Sequence, residues 1–246
     1  MTVTRVINPT ALIEIAGHTF LTDPYFDNHW FFPMNEPIGM QANELPRLSA
    51  ILGGHGVYDH WNMPSISNYP HKHETPVLVA TKSMAKKAKQ AGFGQTEVLT
   101  WGETRKISDQ LEIVCLAGER GVGRHTNSYL LRTPDTSVLV STEAHRIEPI
   151  RHAAANHQVD VAILPIDGLR FLRKQLVMDA EQALAAAELL GAHTLVPIHY
   201  SQQSFAGVVR CTSGIQQLLR LSERCNTVTV QHAPVGQPIV VAARPN

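Results

Sequence analysis

The stretch Ser49-Ala50-Ile51-Leu52-Gly53-Gly54-His55-Gly56-Val57-Tyr58-Asp59-His60-Trp61-Asn62 reads as a short strand that runs into glycines and then delivers His55, Asp59 and His60. Glycines let the backbone turn tightly, so that several side chains can aim at one point. Two imidazoles and a carboxylate within six residues suit a divalent cation bound through nitrogen and oxygen. Taken alone, the triplet reads equally well as a polar loop with incidental histidines.

Around this stretch the first half of the chain carries mostly strand signal. Short β-rich runs fall at Val3–Ile7, Ala11–Ile15, Thr19–Thr22, Ala50–Leu52, Pro76–Ala80, Glu97–Thr100, Leu111–Leu116, Ser128–Arg132 and Ser137–Ser141. Turn signals such as Ala16-Gly17, Trp101-Gly102 and Thr133-Pro134-Asp135 separate them. The second half alternates: strands at Val159–Pro165 and Thr194–Ile198 flank a helix over Asp179–Leu190. Asp179 caps that helix, Gln182 follows three residues later, and Gly191 ends it. Further helices fit Ser83–Ala91, Pro149–Asn156 and Gly214–Arg224, and two strands, Thr227–Gln231 and Pro238–Val241, close the chain. Strands in two blocks, each ending in helix–strand units, predict two stacked sheets with helices on the outer faces. With no linker and no repeat, residues 1–246 read as one α/β domain. Phe26–Met40 is too aromatic and proline-broken for a core strand and reads as a loop, lining a pocket or packing against its own barrel or a partner subunit.

Composition excludes whole classes. The chain has 246 residues, with 21 Lys and Arg against 21 Asp and Glu, so no basic surplus points to nucleic acid or an anionic membrane. Three widely spaced cysteines, Cys115, Cys211 and Cys225, fit neither a disulfide framework nor a zinc knuckle; reduced thiols suit a cytoplasmic protein. The N-terminus lacks the pattern of a signal peptide, and no apolar run reaches the roughly 20 residues of a membrane helix. Thirteen histidines are the unusual count, and histidine is the commonest metal ligand.

Beyond these features, the chain resembles the metallo-β-lactamase fold superfamily, and within it the lactonase-like branch that includes the ascorbate-6-phosphate lactonases. Ala11–Asp23 followed by Pro24 resembles the opening hairpin and its Asp-Pro turn; His55–His60 resembles the H-x-H-x-D-H loop; Gly123–Tyr129, with His125, is similar to the third, histidine-bearing motif. Val138–Ala144 resembles the strand that ends in the bridging carboxylate, and Met178–His199 the helix, strand and terminal histidine. The resemblance implies a four-layer αβ/βα sandwich with one or two metals at its edge, and a metal-activated water attacking an ester, lactone or phosphate. It assigns His55 and His125 to a first metal site, Asp59, His60 and His199 to a second, and Glu143 to the bridge.

Two positions depart from the pattern: Val57 stands where the second histidine of the loop belongs, and Glu143 replaces the bridging aspartate. The first site is then short of a ligand unless His145 supplies one, and one metal is expected rather than two. Zinc suits the ligand set, with manganese or iron admitted by the carboxylates. Asp59 is the candidate to orient or deprotonate the attacking water. Asp167 follows the strand Val161–Ile166, where it can serve as an acid or brace a histidine. Tyr58 and Tyr200 neighbour expected ligands and can donate to a developing oxyanion. His29, in the aromatic loop, is a candidate substrate contact. The expected activity is therefore hydrolysis of a small molecule, possible only if the reduced ligand set holds metal. The alternative is a catalytically degenerate small-molecule binding protein on the same fold; a nuclease is disfavoured by the neutral charge. The partners expected under either reading are a small molecule and, through the aromatic loop, a second copy of the chain in a homo-oligomer.

Overall fold

The structure, a computed structural model, describes residues 1–30, 32–121 and 124–241. Phe31 of the aromatic loop and Gly123 of the third motif lie outside the described residues.

In chain order the strands are β1 (Thr2–Ile7), β2 (Thr10–Ile15), β3 (His18–Thr22), β4 (Ala50–Gly53), β5 (Pro76–Val79), β6 (Gln95–Val98), β7 (Thr104–Ser108), β8 (Leu111–Gly121), β9 (Arg124–Arg132), β10 (Ser137–Val140), β11 (Val161–Pro165), β12 (Arg170–Phe171), β13 (Lys174–Gln175), β14 (Thr194–Ile198), β15 (Val209–Arg210), β16 (Thr229–Val230) and β17 (Pro238–Val240). The helices are α1 (Lys82–Gln90), α2 (Ile147–Asn156), α3 (Ala180–Leu190) and α4 (Ile215–Ser222). One seven-stranded sheet has the order β17-β1-β2-β3-β4-β5-β6, a second β16-β14-β11-β10-β9-β8-β7, and a small third sheet β13-β12-β15.

Period-two burial explains why the two large sheets face each other. Ile13, Phe20, Leu52 and Leu78 of the first sheet meet Ile113, Tyr129, Val161 and Val196 of the second in one inner core. The residues between them in sequence turn outward: Leu12, Leu21, Ile51 and Val77 pack beneath α1 and the segment before β4, and Leu130, Leu139, Ala162 and Leu195 pack against α2 and α3. This is the expected four-layer sandwich, with one adjustment. Helices do cover the second sheet, whereas among the described residues α1 is the one α-helix on the first, and residues 32–49 and 61–69, with short 3-10 turns at Ala42–Glu44 and Met63–Ile66, complete that layer.

Three strand features differ from the sequence expectations. β7 was not foreseen because TRKIS is a largely exposed edge strand with a single apolar residue, Ile107, packed on the inner core. β8 runs on past Leu116 to Gly121, pairing with β9 through a bulge between Ala117 and Arg120. The third sheet is built from two-residue strands, too short to carry a period.

The helix that leads into β14 is locked at both ends. Asp179 accepts from the Gln182 amide at 2.9 Å, and the Gln182 side chain accepts from the Asp179 amide at 3.0 Å. Gly191 closes the last turn at φ +68°, a left-handed conformation that glycine adopts without steric cost. Among the described residues no helix is long and apolar enough to cross a membrane. Replacing Asp179 by Ala should lower stability by about 1 kcal/mol and the melting temperature by about 2–4 °C; thermal unfolding followed by circular dichroism checks this, and an unchanged melting point would mean the cap is redundant.

Candidate metal centre

β4 is parallel to β3 and β5, and β10, β11 and β14 are parallel to one another. The carboxyl ends of these strands are where an α/β sheet presents its functional residues. Asp23 follows β3, His55, Asp59 and His60 follow β4, Glu143 follows β10, Asp167 follows β11, and His199 follows β14. Gly54 lets the two sheets close together at this point. A Cβ there would lie 2.8 Å from Thr142 Oγ1 and 3.0 Å from the Asn127 carbonyl, and the Gly54 carbonyl accepts from the Asn127 amide.

The centre of the site is a pair of imidazoles. His60 Nε2 and His199 Nε2 stand 3.1 Å apart, and both residues are fully buried. Each ring is held from behind: His60 Nδ1 donates to Asp23 Oδ2 at 2.7 Å, and His199 Nδ1 donates to Asp167 Oδ2 at 2.9 Å. With both Nδ1 atoms committed as donors, neutral rings would point two lone pairs at each other. A cation between them, proton or metal, removes that conflict. His199 also has φ +54°, unusual for a non-glycine residue, and its amide donates to the Asn8 carbonyl at 3.0 Å. Backbone strain of this kind is tolerated where the surroundings fix a functional group.

Carboxylates and His55 complete two donor sets, each with ligand atoms within 4.8 Å of one another: Asp59, His60 and His199, and His55, His60 and Glu143. Ligands about 2 Å from a metal lie up to roughly 4 Å apart, so both sets suit an ion. His55 provides the most direct test. Among the described residues Nε2 of its buried ring has no hydrogen-bond partner, and Nδ1 has only a long approach to Glu143 Oε1 at 3.5 Å. A buried imidazole is rarely left unsatisfied, and a metal would take its lone pair. Glu143 Oε2 approaches His60 Nε2 at 3.2 Å. Burial pushes the Glu143 carboxyl up, yet the neighbouring His55 and His60 outweigh it and hold it well below the usual carboxylate range. Burial likewise lowers His60, but Asp23 and Glu143 raise it well above the ordinary imidazole value. His199 is raised against its own burial, chiefly by Asp167.

Asp23 had no site role in the sequence expectations, although its Asp-Pro turn was recognised. It is fully buried, and besides His60 it accepts from the Gly54 amide and from Thr142 Oγ1. The signal lay in its place: a lone aspartate at the carboxyl end of a strand beside β4.

The other expected site residues lie elsewhere. His125 belongs to neither donor set, because its ring stacks on Trp101 with centroids 5.0 Å apart; His60, not His125, accompanies His55. His145 is also outside both sets, and its amide donates to Glu119. The Tyr58 hydroxyl donates to Asp27 Oδ2 at 2.7 Å, away from the oxyanion role expected of it. The Tyr200 ring lies 3.9 Å under the Arg5 guanidinium, which replaces its expected place at the site. His29 packs edge-on against Tyr58 and does not line the cavity.

A cavity of about 280 Å³ opens onto His55, Asp59, Glu143 and His199. Val57, Phe32 and Gln202 line it, and Leu169, Phe171, Leu176, Val177 and Val209 form its far wall around the small sheet. Loop residue Phe32 therefore reaches the site, while Trp30 is 71% exposed.

Three outcomes follow. A protonated imidazole cannot bind metal, so zinc affinity should rise roughly tenfold per pH unit for each proton displaced between about pH 6 and 8. Chelator competition measures this, and pH-independent affinity would contradict the ligand set. In metal-free protein the sense reverses: the stability contributed by raised His60 is fully present below its unfolded value of about 6.5 and is lost as pH climbs through the folded value. Asp167→Asn should weaken metal binding about 10–100-fold without unfolding the chain.

Comparison with known proteins places this arrangement. A Mycobacterium tuberculosis protein is 24% identical over 210 residues, covering 78% of this chain and 56% of its own length, so the chain spans about half of that relative. A protein named a metal-dependent hydrolase from Pyrobaculum aerophilum is 24% identical over 193 residues, covering 77% of this chain and 80% of the relative. Among solved structures, an isothiocyanate hydrolase from Delia radicum gut bacteria superposes with a TM-score of 0.81 at 16% identity, over 99% of this chain and 100% of that one. A diiron β-hydroxylase from Streptomyces venezuelae gives 0.70 at 16% identity, over 95% of this chain and 53% of that one. Residues 18–200 match the family model described as the beta-lactamase superfamily domain, and the chain belongs to that family.

Proposed function

We propose that the protein is a metal-dependent hydrolase of small, neutral, largely apolar esters or lactones. The observation that carries the reading is the pair of carboxylate-braced imidazoles, His60 and His199, opening onto an apolar cavity. His60, His199 and Asp59 would hold one metal, with Glu143 and His55 beside it. When bound, the metal supplies the acidity that makes water a nucleophile at neutral pH. Asp59 orients that water and takes its proton. Asp23 and Asp167 keep both imidazoles in the tautomer that presents Nε2.

Phosphate monoesters fit less well. Among the described residues no lysine or arginine lines the cavity, and its carboxylates are those of Asp59 and Glu143. A doubly charged substrate would meet two like charges and no fixed cation other than the metal. The name of the isothiocyanate hydrolase points in the same direction, since an isothiocyanate is a small uncharged carbon electrophile. Zinc is the first metal to test, and iron the second, given the diiron β-hydroxylase on the same fold.

Val57 supports a single strong site. It lines the cavity beside His55 and Asp59, so it lies where a histidine would reach the ions, and it offers no lone pair. Wild type should hold about one metal per chain, Val57→His more, and His199→Ala little. Two metals in wild type would mean that another residue fills the vacant role. Loaded enzyme should cleave phenyl acetate with a kcat/KM at least about 100-fold above that for phenyl phosphate; the reverse order would overturn the substrate class. The second reading, a metal-free binding protein on this fold, rests on the same Val57, and failure of both wild type and Val57→His to retain metal would favour it.

A further inference from the structure

Gln202 is 3% exposed, and neither its side-chain nitrogen nor its side-chain oxygen has a hydrogen-bond partner. Its backbone, by contrast, is tightly held. Gln202 bridges to Met34, the Gln203 amide donates to the Pro33 carbonyl at 2.8 Å, and the Asn35 amide donates to the Ser201 carbonyl at 2.7 Å. Ser201 is further tied to Glu36, which pairs with buried Arg5. The residue is thus fixed at the cavity wall, three positions after His199, with its amide unsatisfied. Leaving a buried amide without partners costs stability, and a leucine of similar shape would avoid that cost. A polar residue kept at such a position is explained by a ligand that completes its bonds.

The chemistry of that ligand follows from the walls. The carboxamide offers two donors and an acceptor and no charge. Around it the cavity is largely apolar, from Phe32 and Val57 to the small sheet, and among the described residues no lysine or arginine lines it. A volume of about 280 Å³ limits the occupant to a small molecule. We infer that Gln202 is the specificity residue of this cavity: a modest turn of its side chain lets the amide bond a neutral group that both donates and accepts, carried on an apolar body. The group is a carboxamide or a hydroxyl, and the apolar body lies along the small sheet, with the reacting carbon toward His60 and His199. This assignment rests on the hydrolase reading for the reacting carbon, but recognition by Gln202 is measurable without turnover.

The test uses hexanamide as the probe and compares wild type with Gln202→Leu, both as purified with metal. Calorimetric titration should show hexanamide binding to wild type and about tenfold weaker binding to Gln202→Leu, the effect of losing one or two hydrogen bonds. Without hexanamide, Gln202→Leu should melt a few degrees higher than wild type, because the unsatisfied amide is gone. A structural role for Gln202 would move the melting point down. A lower melting point, equal affinity in the two proteins, or no binding to wild type would each overturn the proposal. Phenyl acetate hydrolysis, measured in parallel, reports separately on the enzyme: no turnover, with the Gln202-dependent binding intact, would remove the hydrolase reading and leave Gln202 supported as the recognition residue.

Discussion

Two buried imidazoles face each other nitrogen to nitrogen across 3.1 Å, and each is held from behind by a buried carboxylate. In an apolar interior that arrangement is unfavourable unless a cation sits between or beside the rings. The rest of the site serves it. Asp23 takes its place because β3 ends beside β4, and Thr142 and the Gly54 amide fill its remaining acceptor positions. His199 accepts a left-handed backbone because Asn8 and Asp167 fix both its amide and its ring. Glu143 stays ionised while buried because His55 and His60 face it. Remove any brace and the rings lose the orientation that a metal needs.

The sandwich makes this geometry affordable in chain terms. Parallel neighbours β3 and β4 in one sheet, and β10, β11 and β14 in the other, all end at the same rim. Loops from both sheets therefore meet there without long detours. Gly54 permits the close approach, and the inner core of the two sheets holds the rim rigid from below. The segment before β4 is tied to the same rim by buried Arg5, which pairs with Glu36 and stacks on Tyr200. Tyr200 thus steadies the loop that follows His199 and does not itself face the chemistry.

Much of this was legible in the sequence, and for identifiable reasons. Short, near-continuous apolar strands such as β2 and β11 announce themselves because both faces are buried by apolar layers. α3 was legible because its caps are chemical signals, Asp179 with Gln182 and then Gly191. The glycine-led loop after β4 and the terminal histidine after β14 marked where side chains converge. What was not legible is contact that spacing cannot encode. His125 sits in a motif-like run, yet its ring finds Trp101 across a bulged hairpin. Tyr58 neighbours Asp59 in sequence, but its exposed ring turns to Asp27. Asp23 lies 37 residues from His60, and only the parallel pairing of β3 with β4 brings them together. The small sheet was invisible because two-residue strands have no period.

On the proposed function, that small sheet and Gln202 divide the labour of the cavity with the candidate metal ligands. The ligand set is built from carboxylates and imidazoles and says what chemistry is possible, but those groups are common to many hydrolytic sites and select no substrate. Selection has to come from the remaining walls. Among the described residues no lysine or arginine lines the cavity to hold an anionic substrate. An apolar wall rewards an uncharged body through burial, roughly 25 cal/mol for each Å² removed from water. It discriminates poorly among bodies of similar size, however, since one methylene changes binding only modestly. A buried amide without partners supplies the discrimination that the wall lacks, because a ligand that fails to satisfy it leaves the desolvation cost standing. The valine at position 57 extends the apolar wall up to His55 and Asp59. On the proposed function, a valine there leaves one ion position short and in exchange widens the uncharged surface against which a substrate would pack.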